Sequence, residues 1–314
     1  MTDTASAMGK EKGYVGRLAP SPTGALHLGN VRTFMIAWLR ARQAGGRVVF
    51  RMEDLDHPRD KPRAAAQTVE ELHWLGFDWD EEHVQSARRE VYRAALGRLK
   101  SAGVVYPCVC SRKDVEAAQS APHEGEQLFY PGTCRGRFAS WEEAAAVRPP
   151  CWRFRVAEDS NVEFTDVFAG QCKQNVAKTL GDFPLARDVD GAGYTLAAVV
   201  DDAAMGVTEV VRGDDLLPAT PAQILVQRAL GLPSVDYCHV PLAVGPDGRR
   251  LAKRHGDTRI ATFRAAGWTA ERLIGLIAES CGLGDGSPCR LADLVDGFAL
   301  SRLPRSPWIV PGET

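Results

Sequence analysis

The sequence lacks any apolar run approaching the roughly 20 residues that a membrane-spanning helix requires. Its first 13 residues also lack the apolar core of a secretory signal, and we expect a disordered lead-in there. Internal repeats, low-complexity tracts and a dinucleotide-binding G-x-G-x-x-G pattern after a strand are missing as well. These absences argue against a membrane protein, a repeat protein and a dinucleotide-binding domain, and a reducing cytoplasm is the expected compartment.

A large net charge of either sign is also lacking. The 38 basic and 40 acidic residues leave a net charge of −2. Because nucleic acid is densely negative, a nucleic-acid partner would have to be met by a local basic patch. The length of 314 residues, with 45% hydrophobic and 25% charged content, permits two modest domains or one domain with an insertion.

Residues 14–56 contain the strongest local pattern, which reads as strand, turn-rich loop, helix and strand. The loop at 20–24 holds two prolines and a glycine, which break both helices and strands. Apolar residues then recur at helical spacing from Leu28, and residues 47–52 form a short apolar run typical of a buried parallel strand. His27 lies at the predicted helix N-terminus, where free N–H groups and the helix dipole favour a phosphate.

The whole pattern predicts an α/β fold, with a doubly wound, Rossmann-like parallel sheet that is split by an insertion. Residues 14–98 form the first half of the sheet domain, 99–193 the insertion, 194–256 the second half, and 257–314 a helical tail ending in an irregular surface strap. The second half opens with Tyr194–Asp202, an apolar run predicted as a buried strand that ends in two acids.

Several motifs resemble those of the glutamyl-tRNA synthetase family of class I aminoacyl-tRNA synthetases. H-L-G-N at His27–Asn30 resembles the HIGH motif, and residues 16–29 and 51–56 resemble the sequence around it in that family. Residues 250–256 resemble the lysine-bearing K-L-S-K-R loop, although Arg250 and Ala252 replace the usual lysine and serine. The alternative interpretations are a core-facing histidine in an ordinary β-α-β unit and a solvated basic loop.

The resemblance implies that ATP, with Mg²⁺, is a substrate. It implies catalytic roles for His27 and Lys253, and an ammonium at Lys253 would stabilise charge developing on the α-phosphate as pyrophosphate leaves. The implied ATP-binding residues are Thr23, His27, Gly29, Asn30 and Lys253.

The resemblance also implies a glutamate pocket. Glutamate carries two carboxylates and one ammonium, so its site needs two cationic or donor clusters and one acid. The family pattern supplies Arg17, Ala19, Ser21, Glu53, Tyr194 and Arg212. We assign the arginines and the Tyr194 hydroxyl to the carboxylates, because a guanidinium binds carboxylate through a bidentate fork.

Glu53, with Ser21 and the backbone near Ala19, is assigned to the ammonium of glutamate. Which arginine binds which carboxylate stays open. Two alternatives also stay open: a surface ion pair of Arg212 with Asp214 or Asp215, and a core position for Tyr194.

A metal site is predicted in the insertion. Eight cysteines without a secretory signal favour free thiols over a disulfide framework. Cys108-x-Cys110 followed by Tyr130-x-x-x-Cys134 resembles the zinc site of a shortened glutamyl synthetase relative, and zinc prefers four nitrogen or sulfur ligands in a closed structural site. Tyrosine is an unusual ligand, so a fourth position filled by water or His123 stays open.

The resemblance is closest to a short branch of the family that transfers glutamate from glutamyl-adenylate to queuosine in the anticodon of tRNA(Asp). The chain ends soon after the lysine-bearing loop, without room for a helical anticodon-binding domain. The implied partners are glutamate, ATP and tRNA(Asp) carrying queuosine, with a monomer and no membrane contact. Alternatives are a truncated glutamyl-tRNA synthetase that charges the acceptor end of tRNA(Glu), a glutaminyl synthetase relative, and a non-catalytic tRNA-binding module.

Overall fold

The structure is a computed structural model that describes residues 13–22, 25–55, 61–117, 129–188, 191–249, 251 and 258–310. Some positions predicted from the sequence lie outside these ranges: residues 1–12 of the lead-in, Thr23, His123, Arg250, Ala252 and Lys253.

The described chain alternates strands and helices through most of its length. The strands are β1 Val15–Leu18, β2 Arg47–Met52, β3 Glu81–Val84, β4 Val105–Cys108, β5 Cys151–Phe154, β6 Asn161–Asp166, β7 Gly170–Asn175, β8 Phe183–Ala186, β9 Glu209–Gly213, β10 Asp236–Val240, β11 Ala243–Val244 and β12 Trp308–Ile309. The helices are α1 Leu28–Gln43, α2 Lys61–Trp74, α3 Arg89–Ser101, α4 Arg112–Ala117, α5 Trp141–Ala145, α6 Val176–Thr179, α7 Tyr194–Ala204, α8 Thr220–Leu230, α9 Ile260–Ala265 and α10 Ala270–Ser280.

Two sets of strands meet in the centre of the molecule. One is parallel in the order β1-β2-β3, and the other has the order β7-β6-β10-β9, in which only the β6-β7 pair is antiparallel. The Thr208 N–H, just before β9, donates to the Val15 carbonyl of β1 at 2.9 Å. β1 and β9 therefore lie side by side where the strand order reverses, and such a switch point is where doubly wound sheets bind ligands, beyond the carboxyl ends of the strands.

Helices cover both faces of this sheet. Alternate residues of β2 point to opposite faces, so Val48 and Phe50 join one apolar cluster and Val49 joins the other. The first cluster packs α1, α2 and α10, and the second packs α3, α7 and α8. This arrangement confirms the predicted doubly wound α/β class. Among the described residues, no helix is long and apolar enough to cross a bilayer.

The prediction of a buried strand at Tyr194–Asp202 is wrong, because these residues belong to helix α7. A short apolar run does not distinguish a buried strand from a buried helix. Burial in α7 runs unbroken from Leu196 to Asp202, so the helix is enclosed on almost every side. The helix places Tyr194 in its first turn and carries both acids into the interior, which a strand in the sheet would not do.

The insertion has an antiparallel sheet of its own, in the order β4-β5-β8. The β6-β7 hairpin, which also lies within residues 99–193, instead extends the central sheet, since Asp166 pairs with Tyr237 of β10. The division of the chain into domains at residues 99 and 193 stays a prediction.

The tail differs in part from its prediction. The helical character is confirmed by α9 and α10. The last described segment is not an irregular surface strap, because β12 pairs in parallel with β11. The Trp308 N–H donates to the Leu242 carbonyl at 2.9 Å, and the Val310 N–H donates to the Val244 carbonyl at 2.9 Å. Val310 is also buried, so the segment completes the core next to the cleft described below.

Candidate active site

A cleft of about 580 Å³ opens beyond the carboxyl ends of β1, β2 and β9. It is lined by nine residues that the sequence pattern singled out, namely Arg17, Ala19, Ser21, His27, Gly29, Asn30, Glu53, Tyr194 and Arg212. These residues come from positions up to 195 apart in the sequence, and the fold gathers them into one site. Every described residue predicted for glutamate or ATP thus lines the cleft.

The N-terminus of α1 forms one wall of the cleft. His27 is the N-cap, and its Nδ1 accepts from the Asn30 N–H at 3.4 Å while Asn30 Oδ1 accepts from the His27 N–H at 3.3 Å. The Leu28 N–H is also engaged, with the Thr258 carbonyl at 3.0 Å. A Cβ at Gly29 would stand 3.2 Å from the Ala243 Cβ and 3.3 Å from the His27 ring. A side chain at Gly29 would therefore crowd its neighbours, and the glycine leaves backbone at the cleft wall that a phosphate could approach.

The described residues next to the lysine-bearing loop border the same wall. Lys253 lies outside the described residues, but Leu251 lines the cleft and Thr258 bonds the first residue of α1. The Ile260 N–H donates to the Leu26 carbonyl at 2.9 Å. Both described flanks of the loop are therefore anchored beside the HIGH-like segment, as a shared ATP site requires.

Arg17, on β1, is a buried cation at the floor of the cleft. One of its Nη atoms donates to the Val211 carbonyl at 2.9 Å, and its Nε lies 3.6 Å from an oxygen of Asp202. That Nε is buried without a hydrogen-bond partner. A buried donor of this kind costs free energy unless a ligand satisfies it, so the cleft is suited to a carboxylate near Arg17.

Glu53, just after β2, is held by a second buried arginine. Arg51 contacts Glu53 Oε1 through Nη2 at 2.9 Å and contacts Asp202 through Nη1 at 2.6 Å. Burial raises the pKa of Glu53 above its usual value, and the nearby charges of Arg51 and Arg17 oppose the rise. An ammonium group bound beside Glu53 would lower that pKa again, so this acid suits the amino group of a substrate.

Arg212, at the end of β9, is buried with 6% of its surface exposed, so the alternative of a surface ion pair is wrong. Its Nε bonds His239 Nε2 at 3.0 Å, one Nη donates to the Thr220 hydroxyl at 2.8 Å, and the other makes a long contact with the Tyr194 hydroxyl at 3.4 Å. All three partners are neutral groups or a histidine. Tyr194 is 36% exposed, so it is a cleft residue and not a core one.

His239 and Asp166 were missed in the sequence, and they lie directly behind Arg212. His239 Nδ1 is 2.6 Å from Asp166 Oδ2, and both side chains are fully buried. Burial lowers the pKa of His239, although Asp166 opposes this shift. Burial would raise the pKa of Asp166, but hydrogen bonds from the His239 ring and from backbone N–H groups hold it below its usual value. No local motif marks either residue, because they are 73 positions apart.

The three predicted cysteine ligands come together in the insertion. The sulfurs of Cys108, Cys110 and Cys134 all lie within 4.8 Å of one another. The Tyr130 hydroxyl is 3.2 Å from the Cys108 sulfur and 3.6 Å from the Cys110 sulfur. Two sulfurs on one tetrahedral zinc are about 3.8 Å apart, from Zn–S bonds of about 2.3 Å. The four side chains thus fit a closed metal site.

Two further residues of β5 contact this cluster. Cys151 lies opposite Cys108 in the β4-β5 register, so a fourth thiol borders the cluster. Arg153 Nε lies 3.1 Å from the Cys108 sulfur, and its guanidinium stacks 3.8 Å from the Tyr130 ring centre. The pKa of Cys108 is lowered to about 4 because hydrogen bonds from Cys151 and Tyr130 and the Arg153 charge stabilise its thiolate.

The chain resembles proteins of known function over nearly all of its length. A family model described as tRNA synthetases class I (E and Q), catalytic domain, matches residues 14–282. A glutamyl-Q tRNA(Asp) synthetase of Symbiobacterium thermophilum is 48% identical, over 95% of this chain and 96% of that protein. A protein with the same name from Rhodopirellula baltica is 44% identical, over 94% and 96%.

The fold comparison agrees. The crystal structure of a glutamate tRNA ligase from Elizabethkingia meningosepticum, in complex with its amino acid, superimposes with a TM-score of 0.79 at 26% identity. The match covers 96% of this chain and 68% of that one. This chain therefore belongs to the class I tRNA synthetases of the glutamate and glutamine group, and it is a ligase.

Proposed function

We propose that this enzyme activates glutamate with ATP to form glutamyl-adenylate, and then transfers the glutamate to queuosine in the anticodon of tRNA(Asp). The observation that carries the activation step is the shared cleft, in which two buried arginines and one buried acid stand beside the N-terminus of α1. The choice of RNA is supported by the names of the curated relatives, which this chain matches over nearly their full length.

Glutamate has the charges that this cleft can satisfy. Arg17, Arg212 and the Tyr194 hydroxyl bind its two carboxylates, since guanidinium donors pair with carboxylate oxygens. Glu53 binds the ammonium, with Ser21 and the Ala19 backbone. Glutamine would leave one carboxylate position filled by a neutral amide, and a buried arginine without a charged partner is costly. The pocket is therefore selective for glutamate.

ATP binds along the α1 wall as its Mg²⁺ complex. Thr23, His27, Gly29 and Asn30 contact the nucleotide, and Lys253 contacts the phosphates. The cation at Lys253 stabilises the charge that develops as the α-phosphate is attacked by the glutamate carboxylate and pyrophosphate leaves.

The insertion holds one structural zinc through Cys108, Cys110, Cys134 and Tyr130. Four ligands from the protein close the site, so the metal stabilises the insertion and takes no part in the reaction. This site needs free thiolates, and all eight cysteines are free, in keeping with a reducing cytoplasm. The enzyme acts as a monomer.

The test separates activation from transfer. Glutamate-dependent exchange of pyrophosphate into ATP is expected without tRNA, because both substrates bind the one cleft. Labelled glutamate should then pass to tRNA(Asp) carrying queuosine, and not to the same tRNA lacking queuosine or to tRNA(Glu). If the label maps to the 3′-terminal adenosine, the acceptor-charging alternative replaces this proposal. If exchange fails with every amino acid, the activation step itself is wrong.

A further inference from the structure

The amino-acid cleft has a buried support behind it that spans two parts of the chain. Asp166 ends β6, in the predicted insertion, and His239 lies in β10 of the central sheet. Asp166 Oδ1 accepts from the N–H groups of Phe168 at 3.0 Å and Ala169 at 2.7 Å, and Oδ2 faces His239 Nδ1 at 2.6 Å. Both oxygens of Asp166 thus accept hydrogen bonds, and the side-chain contact of Oδ2 is with the histidine.

These contacts determine which nitrogen of His239 carries the proton. An ionised carboxylate is only an acceptor, so the ring nitrogen beside it must be the N–H. A neutral imidazole has a single N–H, which leaves Nε2 with a lone pair. That lone pair is what Arg212 Nε–H needs at 3.0 Å. A proton on Nε2 would oppose the Arg212 Nε–H and leave only the Thr220 hydroxyl, 3.1 Å from Nε2, as its acceptor in the described part of the chain.

We propose that Asp166 and His239 are positioning residues for Arg212. They hold its guanidinium through the Nδ1–H form of the imidazole, so that the Arg212 charge stays directed at a substrate carboxylate. The inference rests on the proposed glutamate-activating function for its kinetic effect, but not for the tautomer itself.

The charge balance around Arg212 explains why an indirect support is useful. Within the described residues, the groups that its three nitrogens contact are His239, Thr220 and Tyr194, and none of them is a carboxylate. A carboxylate in direct contact would orient Arg212 equally well, but it would neutralise the charge and compete with the substrate. Asp166 instead holds His239, and His239 holds Arg212. The negative charge of Asp166 therefore stays one residue farther from the cleft.

Asp166→Asn is the sharpest single change, since it replaces one carboxylate oxygen by an amide NH2 and removes the negative charge with almost no change of volume. Its carbonyl oxygen can still accept from Phe168 and Ala169, and its amide then donates to His239 Nδ1. That forces the proton onto Nε2, where it opposes Arg212. We expect the apparent KM for glutamate in pyrophosphate exchange to rise roughly tenfold or more, the scale of a hydrogen bond to a charged group, while the KM for ATP changes less than about twofold.

A double-mutant cycle separates this mechanism from a loss of structure. In His239→Gln the side-chain carbonyl can accept from Arg212 whether residue 166 is an acid or an amide. Adding Asp166→Asn to this variant should therefore change the glutamate KM by less than about twofold. Equal effects of Asp166→Asn in both backgrounds would overturn the proposal. Asp182→Asn is the matched control: Asp182 is an equally buried acid, but it bonds Tyr106 and Arg135 away from the cleft, and it should not separate the two KM values.

The tautomer of His239 can also be measured directly in the wild-type protein, without a kinetic assay and without an Asp166 variant. Nitrogen NMR of the protein labelled on histidine, with His239→Gln to assign the signal, should show a neutral ring with its proton on Nδ1 at neutral pH. A ring with its proton on Nε2, or a doubly protonated ring, would refute the inference. A wild-type enzyme that shows this tautomer but no glutamate-dependent exchange would instead disprove the proposed function.

Discussion

Two buried arginines serve the cleft under different electrostatic conditions. Arg17 lies 3.6 Å from Asp202, and burial lowers its pKa while that acid opposes the shift. Among the described residues, the hydrogen-bond partners of Arg212 are two uncharged oxygens and a histidine, and its guanidinium also lies over the Tyr237 ring. Because a buried cation without a counter-ion is costly, Arg212 gains more than Arg17 from a bound carboxylate. Under the proposed function, we therefore expect Arg212 to be the stronger determinant of glutamate affinity.

Arg212→Ala should raise the glutamate requirement far more than the ATP requirement. The truncation leaves a substrate carboxylate buried without its charged partner, a loss of roughly 2–5 kcal/mol, or about thirtyfold and upward in affinity. Pyrophosphate exchange at varied glutamate and varied ATP measures the two effects. Arg302→Ala, which removes an exposed cation, is the control and should change neither. An equal rise in both KM values would point to misfolding.

Lys253→Ala should slow glutamate activation by roughly 10²–10³, the usual scale for removing one contact to charge developing in a transition state. The expectation comes from the resemblance of residues 250–256 to the lysine-bearing loop and from the anchoring of Leu251 and Thr258 beside α1. Pre-steady-state adenylate formation with both substrates saturating measures it. A variant that formed adenylate at the full rate would exclude Lys253 from the phosphate site.

At the scale of elements, the part of the insertion around the clustered cysteines has the smallest of the three apolar clusters. This third cluster is built around Tyr106, Cys108, Tyr130 and Cys134, and β4 contributes two of these residues. Tyr106 bonds Asp182, which also pairs with Arg135, so polar contacts of this part of the insertion converge on Asp182. With so few apolar side chains, a metal crosslink would supply much of the stability of the segment.

Cys108→Ser should lose the bound metal and destabilise the insertion, since a neutral hydroxyl is a poor zinc ligand. Metal analysis of the purified protein and limited proteolysis of residues 99–193 measure the two effects. Cys172→Ser is the control, because Cys172 lies on β7 outside the cluster and should leave about one zinc per chain. A folded, active wild-type protein with no zinc would remove the metal assignment.

At the scale of the whole molecule, buried ion pairs join the two halves of the sheet domain. Arg51 of β2 contacts Asp202 of α7, and Asp201 of α7 accepts from Arg88 at 2.7 Å and from the Tyr92 hydroxyl at 2.7 Å. These partners come from segments more than 100 residues apart. Breaking such a pair leaves a buried charge, so the network favours the one docking of α7 that also places Tyr194 at the cleft.

The unfolding free energy should fall on acidification through His239. The residue faces Asp166 of β6, Arg212 of β9 and Thr220 of α8, and burial lowers its pKa below the roughly 6.5 of an unfolded histidine. Between those two pKa values the unfolded chain binds more protons, so this contribution is complete above about pH 6.5 and is lost as the pH falls through the folded value.

Urea unfolding of the wild type and of His239→Gln, compared at about pH 7.5 and about pH 5, isolates this contribution. The stability advantage of the wild type should shrink at the lower pH. His83, whose pKa burial also lowers, is present in both proteins and cancels in the comparison. An advantage that grew on acidification would mean that His239 is protonated in the folded state.

Much of this protein was determined by local sequence. Residues 14–52 encode their strand, loop, helix and strand through periodicity and helix-breaking residues, and these interactions act between near neighbours. The His27 and Lys253 motifs, the residues predicted for the cleft and the three clustered cysteines could likewise be read from spacing and resemblance. The structure brought the described cleft residues together, because most of them sit near strand ends that a parallel sheet places along one edge. It gathered the three cysteines separately, in the insertion.

Only the tertiary structure decided the features that depend on residues far apart in the sequence. The run Tyr194–Asp202 suits a strand or a helix equally, and its packing between α3 and α8 decided for the helix. Asp166 and His239 acquire their meaning from a contact across 73 residues, and Cys151 from a strand register with Cys108. The support behind Arg212 exists because buried charges must find partners, and which partners they find is a property of the folded chain.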